Sequence, residues 1–288
     1  VIKSSNQLNA QELAAAKKLI WDCQEYDGSH REPYLSNGLN FDLNMPAFFL
    51  YYEGENLLGL LTVYADDGGA ELAILVHPNY RRQGIGCQLY TEFQEKTKSY
   101  PISSVTFQTE RVFLKKNPDF AANLGLVESP DTETWMGRNQ EPYQFSERTD
   151  VSVCLAEVSH LEAIAELQAQ AFHEEDEGLE IPLRYARQAL ENDDSRLYIL
   201  LKGEQVVASC TIDLSSANNY LYGLAVYENL REQGLGSYLV KTIVNDLIKV
   251  NDKSFQIAVE DANVGAKKLY EKIGFMKQTQ VVYLKCQE

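Results

Sequence analysis

The segment Arg81-Arg82-Gln83-Gly84-Ile85-Gly86 returns as Arg231-Glu232-Gln233-Gly234-Leu235-Gly236, shifted by 150 residues (234 − 84). Each copy follows an apolar run that ends in valine, Val76 or Val226, at the same shift (226 − 76 = 150). Each copy also opens an amphipathic helical pattern, so the chain carries strand, glycine turn and helix twice. A long-range repeat of this kind constrains the chain to two units of similar layout. At 288 residues each unit is long enough to bury its own core.

The same order of elements can be read in both halves. In the first, a helical stretch over 9–25 precedes strand-like segments at Ala47–Tyr52, Asn56–Tyr64 and Glu71–Val76. Glu53-Gly54-Glu55 and Asp66-Asp67-Gly68-Gly69 supply the turns between them. The glycine turn, a helix over 86–98 and a strand at Ser104–Gln108 follow. In the second half, Ser159 and Glu162 form a capping-box pattern before a helix that ends near Phe172, and Pro182 suits a first turn. Strands are expected at Arg196–Leu201, Val206–Asp213, Tyr220–Val226 and Phe255–Val259, helices over 236–250 and 263–272, and two short strands at the end. Glu110 and Glu260 keep the same register, whereas Gly125 and Gly274 differ by 149. The polar, proline-containing stretch Arg138–Gln144 reads as the join, giving domains over 1–140 and 141–288.

Composition narrows the partners. An apolar fraction of 44% with 24% charged residues describes a globular protein, and no apolar run approaches the ~18 residues of a membrane span. The start, Val1-Ile2-Lys3-Ser4-Ser5, lacks a secretory pattern, and five scattered cysteines have neither metal-type nor redox-type spacing. These features point to the cytoplasm, with no membrane partner and no metal. A net charge of −16 disfavours nucleic acid; it would attract a cationic small molecule, and on charge alone it reads equally as a device for solubility.

A helix start offers unsatisfied N–H groups and partial positive charge. Glycines let the main chain turn sharply there and approach an anion, for which a diphosphate is the natural occupant. A dinucleotide-binding fingerprint would need a third glycine, and Ser237-Tyr238-Leu239 provides none; a Walker loop would need Gly-Lys-Ser/Thr, which is also missing.

The two turns resemble the Gln/Arg-x-x-Gly-x-Gly/Ala signature of the GNAT superfamily of N-acetyltransferases. Asn263-Val264-Gly265-Ala266-Lys267-Lys268-Leu269-Tyr270-Glu271-Lys272-Ile273-Gly274-Phe275 is similar to that family's later motif. The resemblance spans nearly the whole chain. It implies an α/β (α+β) fold of two tandem GNAT-like domains, each a mixed, mostly antiparallel sheet with helices on both faces. It implies acetyl-CoA as co-substrate, its diphosphate held by main-chain N–H groups of Arg231, Glu232, Gln233, Gly234, Leu235 and Gly236. The pantetheine arm would run beside Leu224 and Val226, where an N–H could polarise the thioester carbonyl, and Asn263 would contact the arm. In the first copy the matching positions are Ile74, Val76, Arg81, Arg82, Gln83, Gly84, Ile85 and Gly86.

Tyr270 matches the family's general acid, which protonates the departing thiolate. A phenol, with a usual pKa of about 10, keeps its proton at neutral pH. Core packing beneath Phe275 is the other reading of this side chain. Aligning Gly125 with Gly274 puts Ala121 opposite Tyr270 and Leu114 opposite Asn263, and Pro118 should break the first copy's helix. The first domain is therefore expected to keep the turn and lack the acid. No base is assigned: Glu71 lies on the first copy's strand, Tyr220 and Tyr222 on the second's, and Glu260 and Asp261 follow a strand end. The run His173-Glu174-Glu175-Asp176-Glu177-Gly178 suits either a solvated loop or a wall favouring a cationic amine. The expected activity is acetyl transfer from acetyl-CoA to a primary amine of a small acceptor. The alternatives are a non-catalytic acyl-CoA-binding module, or a mycothiol-synthase-like or peptide acetyltransferase.

Overall fold

The computed structural model describes residues 1–172 and 178–287. The chain forms two compact units: Val1–Thr134 with Thr279–Glu288, and Trp135–Gln278.

In the first unit, β1 (Ile2–Ser5) leads to α1 (Ala10–Asp27), then β2 (Phe48–Glu53), β3 (Asn56–Tyr64) and β4 (Gly69–Val76). The glycine turn and α2 (Ile85–Thr97) follow, then β5 (Ser104–Glu110), α3 (Arg111–Lys116), α4 (Phe120–Asn123) and β6 (Leu126–Arg138). α1 begins where Asn9 and Glu12 exchange side chain-to-backbone hydrogen bonds of 2.9 and 3.0 Å. It ends at Gly28, whose φ of 67° is the left-handed cap position. β1 to β4 pair antiparallel in order, while β4 and β5 pair in parallel. The sheet is buried on both faces, which is why β3 reads as an almost unbroken apolar run. Leu58, Leu61 and Val63 pack with Leu89 and Phe93 of α2, whereas Leu57 and Leu60 pack with Leu19 and Ile20 of α1.

The second unit repeats this plan with β7 (Ser152–Leu155), α5 (Leu161–Phe172), α6 (Glu180–Glu191), β8 (Ser195–Lys202), β9 (Gln205–Asp213) and β10 (Asn219–Val226). α7 (Leu235–Leu247), β11 (Phe255–Glu260) and α8 (Val264–Lys272) complete it, and the last strand, β12 (Met276–Cys286), belongs to the first unit from Thr279 onward. β7 to β10 are antiparallel neighbours and β10 pairs with β11 in parallel. The two units are thus mixed, mostly antiparallel sheets with helices packed on them. Leu239, Val240, Ile243 and Val244 of α7 are fully buried against the second sheet. Among the described residues no helix is long and apolar enough to cross a membrane.

The chain end departs from the sequence reading. Instead of two short strands there is one, β12, and its Val281–Leu284 stretch pairs antiparallel with Phe107–Glu110 of β5 in the first unit. Val281, Val282 and Leu284 are buried there, and the Thr279 hydroxyl donates to the Glu110 carboxylate at 2.5 Å. β1 and β7 are also additional: four residues each are too few to carry a periodic signal.

Candidate active site

Both glycine turns have the same backbone. Gly84 and Gly234 lie at φ 82° and 77°, and the second residue of each motif, Arg82 or Glu232, lies at 64° or 62°. Non-glycine residues rarely adopt that region, and a strained backbone of this kind concentrates at ligand sites. Gly84 and Gly234 cap α2 and α7 without any side-chain hydrogen bond, so Ile85, Gly86, Leu235 and Gly236 open helices whose first N–H groups have no capping acceptor. Gln83 and Gln233 complete the turns.

A backbone tie fixes each turn to the strand before it. Arg81 Nε donates to the Val76 carbonyl at 3.0 Å, and Arg231 Nε donates to the Val226 carbonyl at 3.2 Å. In the first unit Arg81 also makes a bidentate pair with Asp27 at 2.8 and 2.7 Å. In the second, Arg148 donates to the Gln233 carbonyl at 2.9 Å. Neither Asp27 nor Arg148 is marked by a local motif. Each reaches its turn through tertiary packing.

The sheets open beside these turns. Parallel pairing of β4 with β5 stops at Leu72 and Phe107, and that of β10 with β11 stops at Leu221 and Ile257. In the first unit the opening is a cleft of about 460 Å3. Ile74 and Val76 line it together with Arg81, Gly84 and Gly86, while Phe107, Phe113 and Phe120 make its wall apolar. Such a volume suits an extended small-molecule arm.

The second unit adds a β-bulge that the first lacks. Tyr222 pairs with Thr211 and Ala225 with Ser209, so Gly223 and Leu224 together face Cys210. Gly223 sits at φ 59°, a conformation glycine adopts freely. A glycine within a strand pattern is a bulge signal, one that the plain-strand reading of Tyr220–Val226 passed over.

Tyr270 lies in the second core, 6% exposed, with its ring 6.3 Å from that of Phe275. Burial pushes its phenol above the usual range, and the nearby Cys210 thiol pushes it further, so the proton is held throughout physiological pH. Tyr270 therefore packs beneath Phe275 and also approaches the residue that faces the bulge. Asn263 is the N-cap of α8: its side-chain oxygen accepts from the Ala266 N–H at 3.0 Å. In the first unit the corresponding helix is broken into α3 and α4 around Pro118, and Ala121 lies in α4.

The carboxylates divide differently. Glu71 of β4 accepts a hydrogen bond from Gln108, which in turn accepts one from Arg31. Burial pushes the Glu71 carboxyl up to about 7; Arg31 opposes the shift, and Glu133, Asp66 and Asp67 add to it. Glu71 pairs with Tyr64 in its hairpin, as Tyr220 pairs with Asp213. Tyr220 thus holds the Glu71 position in the second unit. There it stacks between Trp135, at 5.1 Å, and Tyr222, at 6.1 Å. Asp261 is paired with Lys267 at 2.7 Å, and the Glu260 carbonyl accepts from the Asn263 N–H. Glu174, Glu175, Asp176 and Glu177 of the acidic run, with His173, lie outside the described residues.

A helix start with bare amides beside an opened parallel strand pair, built twice, makes two sites suited to an anionic group on an extended arm. The model of the Acetyltransferase (GNAT) family matches residues 13–117 and again 161–275. The chain belongs to that family, as a tandem two-domain member. No curated protein matches it in sequence. Among solved structures it is similar to a GCN5-related N-acetyltransferase from Sphaerobacter thermophilus, with 16% identity, a TM-score of 0.72, and 99% of this chain and 95% of that one covered. A tandem GNAT protein from the clavulanic acid biosynthesis pathway gives 14% identity and a TM-score of 0.71 over 100% and 99%. A GNAT-family acetyltransferase from Colwellia psychrerythraea gives 17% and 0.61 over the full length of both. At such identities these likenesses establish the fold.

Proposed function

We propose that the chain is an N-acetyltransferase that moves the acetyl group of acetyl-CoA to a primary amine of a small acceptor, with the chemistry in the second unit. The observation that carries this reading is the convergence, in one unit, of bare helix-start amides, a strand bulge and a buried phenol that keeps its proton. Amides from Arg231 to Gly236 would bind the diphosphate, with Leu224 and Val226 beside the arm. Tyr270 would hold a proton for the departing thiolate. Orientation of two substrates in a water-poor cleft would supply much of the acceleration.

The first unit carries the same turn, at Arg81–Gly86, and a cleft, but Ala121 where the acid would stand. We assign it cofactor binding without turnover. Its positively charged Arg82, where the second turn has Glu232, supports anion binding there.

Thiol release over a panel of amines tests the activity. Tyr270→Phe should lower kcat by about two orders of magnitude, with affinity for CoA unchanged. Gly84→Glu should abolish one of two calorimetric CoA sites and leave most turnover. Equal loss of turnover in both variants would refute the division of labour.

A further inference from the structure

The bulge in β10 is held from outside the strand. The Gln168 side-chain amide, on α5, donates to the Gly223 carbonyl at 2.7 Å and contacts the Ser209 hydroxyl at 2.8 Å. Because a carbonyl can only accept, the nitrogen of the Gln168 amide must be the atom that faces Gly223. Gly223 has its own reason to be glycine at this point: a Cβ there would lie 3.4 Å from the Gln168 side-chain oxygen, at a left-handed φ.

The consequence runs through one peptide plane. The bond between Gly223 and Leu224 is trans, so its C=O and N–H point in opposite directions. Gln168 draws the C=O toward α5 and the β9 side, where Ser209 lies. The Leu224 N–H is thereby turned away from β9, toward the side on which β10 has already stopped pairing with β11. A bulge residue is released from its ladder, so this peptide has no strand partner to set its angle.

We propose that Gln168 is a positioning residue: it fixes the tilt of the Gly223–Leu224 peptide so that the Leu224 N–H is aimed at the thioester carbonyl oxygen of the acyl donor. The inference rests on the acetyl-transfer reading given above. An N–H placed in advance where negative charge develops contributes most when it needs no reorientation during the reaction. Gln168 would act through Leu224 and touch no substrate.

The test is isotope-edited infrared spectroscopy of bound [1-13C]acetyl-CoA with wild type and Gln168→Met, which keeps the side-chain length and removes the donor. Gln168 belongs to the second unit, so the difference spectrum cancels any signal from the first. In the wild type the carbonyl stretch should move to lower wavenumber on binding. In Gln168→Met that shift should be lost and kcat should fall 10- to 100-fold, with KM and Kd for acetyl-CoA within twofold. Gln168→Glu gives a second reading should the Met variant fail to fold. Its carboxyl donates only when protonated, so the carbonyl shift should be present at low pH and vanish at high pH.

An unchanged shift in Gln168→Met, a pH-independent shift in Gln168→Glu, or no shift in bound wild type would overturn the proposal. A shift that depends on Gln168, together with no thiol release for any amine, would support the positioning role and refute amine acetylation instead. Failure of acetyl-CoA to bind would overturn both.

Discussion

Replacing Glu71 with glutamine should make the first unit more stable at alkaline pH and leave it unchanged in acid. The carboxyl is pushed from 4.5 to about 7, chiefly by burial, with Glu133, Asp66 and Asp67 adding repulsion that Arg31 only partly offsets. The difference of 2.5 between those values, at 1.36 kcal/mol per unit, is roughly 3 kcal/mol. The sign follows from where the proton sits. Below pH 4.5 both folded and unfolded chains hold it. Between 4.5 and about 7 the unfolded chain releases it while the folded chain retains it, so rising pH favours unfolding. Above about 7 the folded unit contains a partly buried carboxylate and the full stabilisation has been lost. Glutamine has the same shape, can still accept from Gln108, and does not titrate.

The variant should therefore match the wild type near pH 4 and exceed it by roughly 3 kcal/mol at pH 8. Hydrogen exchange of the β4 and β5 amides, compared between the two proteins at each pH, reads this in the first unit alone. Protection at pH 8 should differ by about two orders of magnitude. A stability difference that does not vary with pH would refute the reasoning, because it would mean that the carboxyl is not held protonated by its surroundings.

Asp27→Asn should destabilise the first unit by roughly 3 kcal/mol in urea melts, since it leaves the partly buried Arg81 guanidinium without its bidentate partner. Gly59→Ala should cost about 1–3 kcal/mol by the same measure, because a Cβ there would meet Ile85 at 2.6 Å and Leu89 at 3.0 Å. Removal of residues 276–288 should abolish exchange protection over Gln108–Glu110 of β5, which β4 does not pair, and a peptide of that sequence added in trans should restore it; a truncated chain that keeps those amides protected would contradict the pairing seen here.

The turns, the helices that follow them and most strands were legible because their signals are local. Glycine spacing and apolar periodicity each lie within a few residues, whereas the expected Ser159–Glu162 box is replaced by one between Glu157 and His160, because a short turn over Val158–His160 precedes α5. What remained hidden was set by distant neighbours. Nothing about Arg82 or Glu232 as residue types announces a left-handed backbone. Glu71 acquires its shifted carboxyl from burial in the folded sheet, with Glu133 adding to it and Arg31 opposing it, and Gln168 acquires its role from a carbonyl on β10. The final strand was misread as two because its partner, β5, is remote in sequence. The aromatic stack of Trp135, Tyr220 and Tyr222 was likewise invisible until β6 and β10 had been placed.

That remote partnership has a consequence for synthesis on the ribosome. β5 cannot gain its neighbour until residues 279–286 have been made, after every element of the other unit. The half translated first is thus the half finished last, and its nascent sheet must wait with one edge open. Slow elongation through 141–278 would prolong that exposure, so chaperone demand should track translation speed across a stretch that contributes nothing to the waiting sheet.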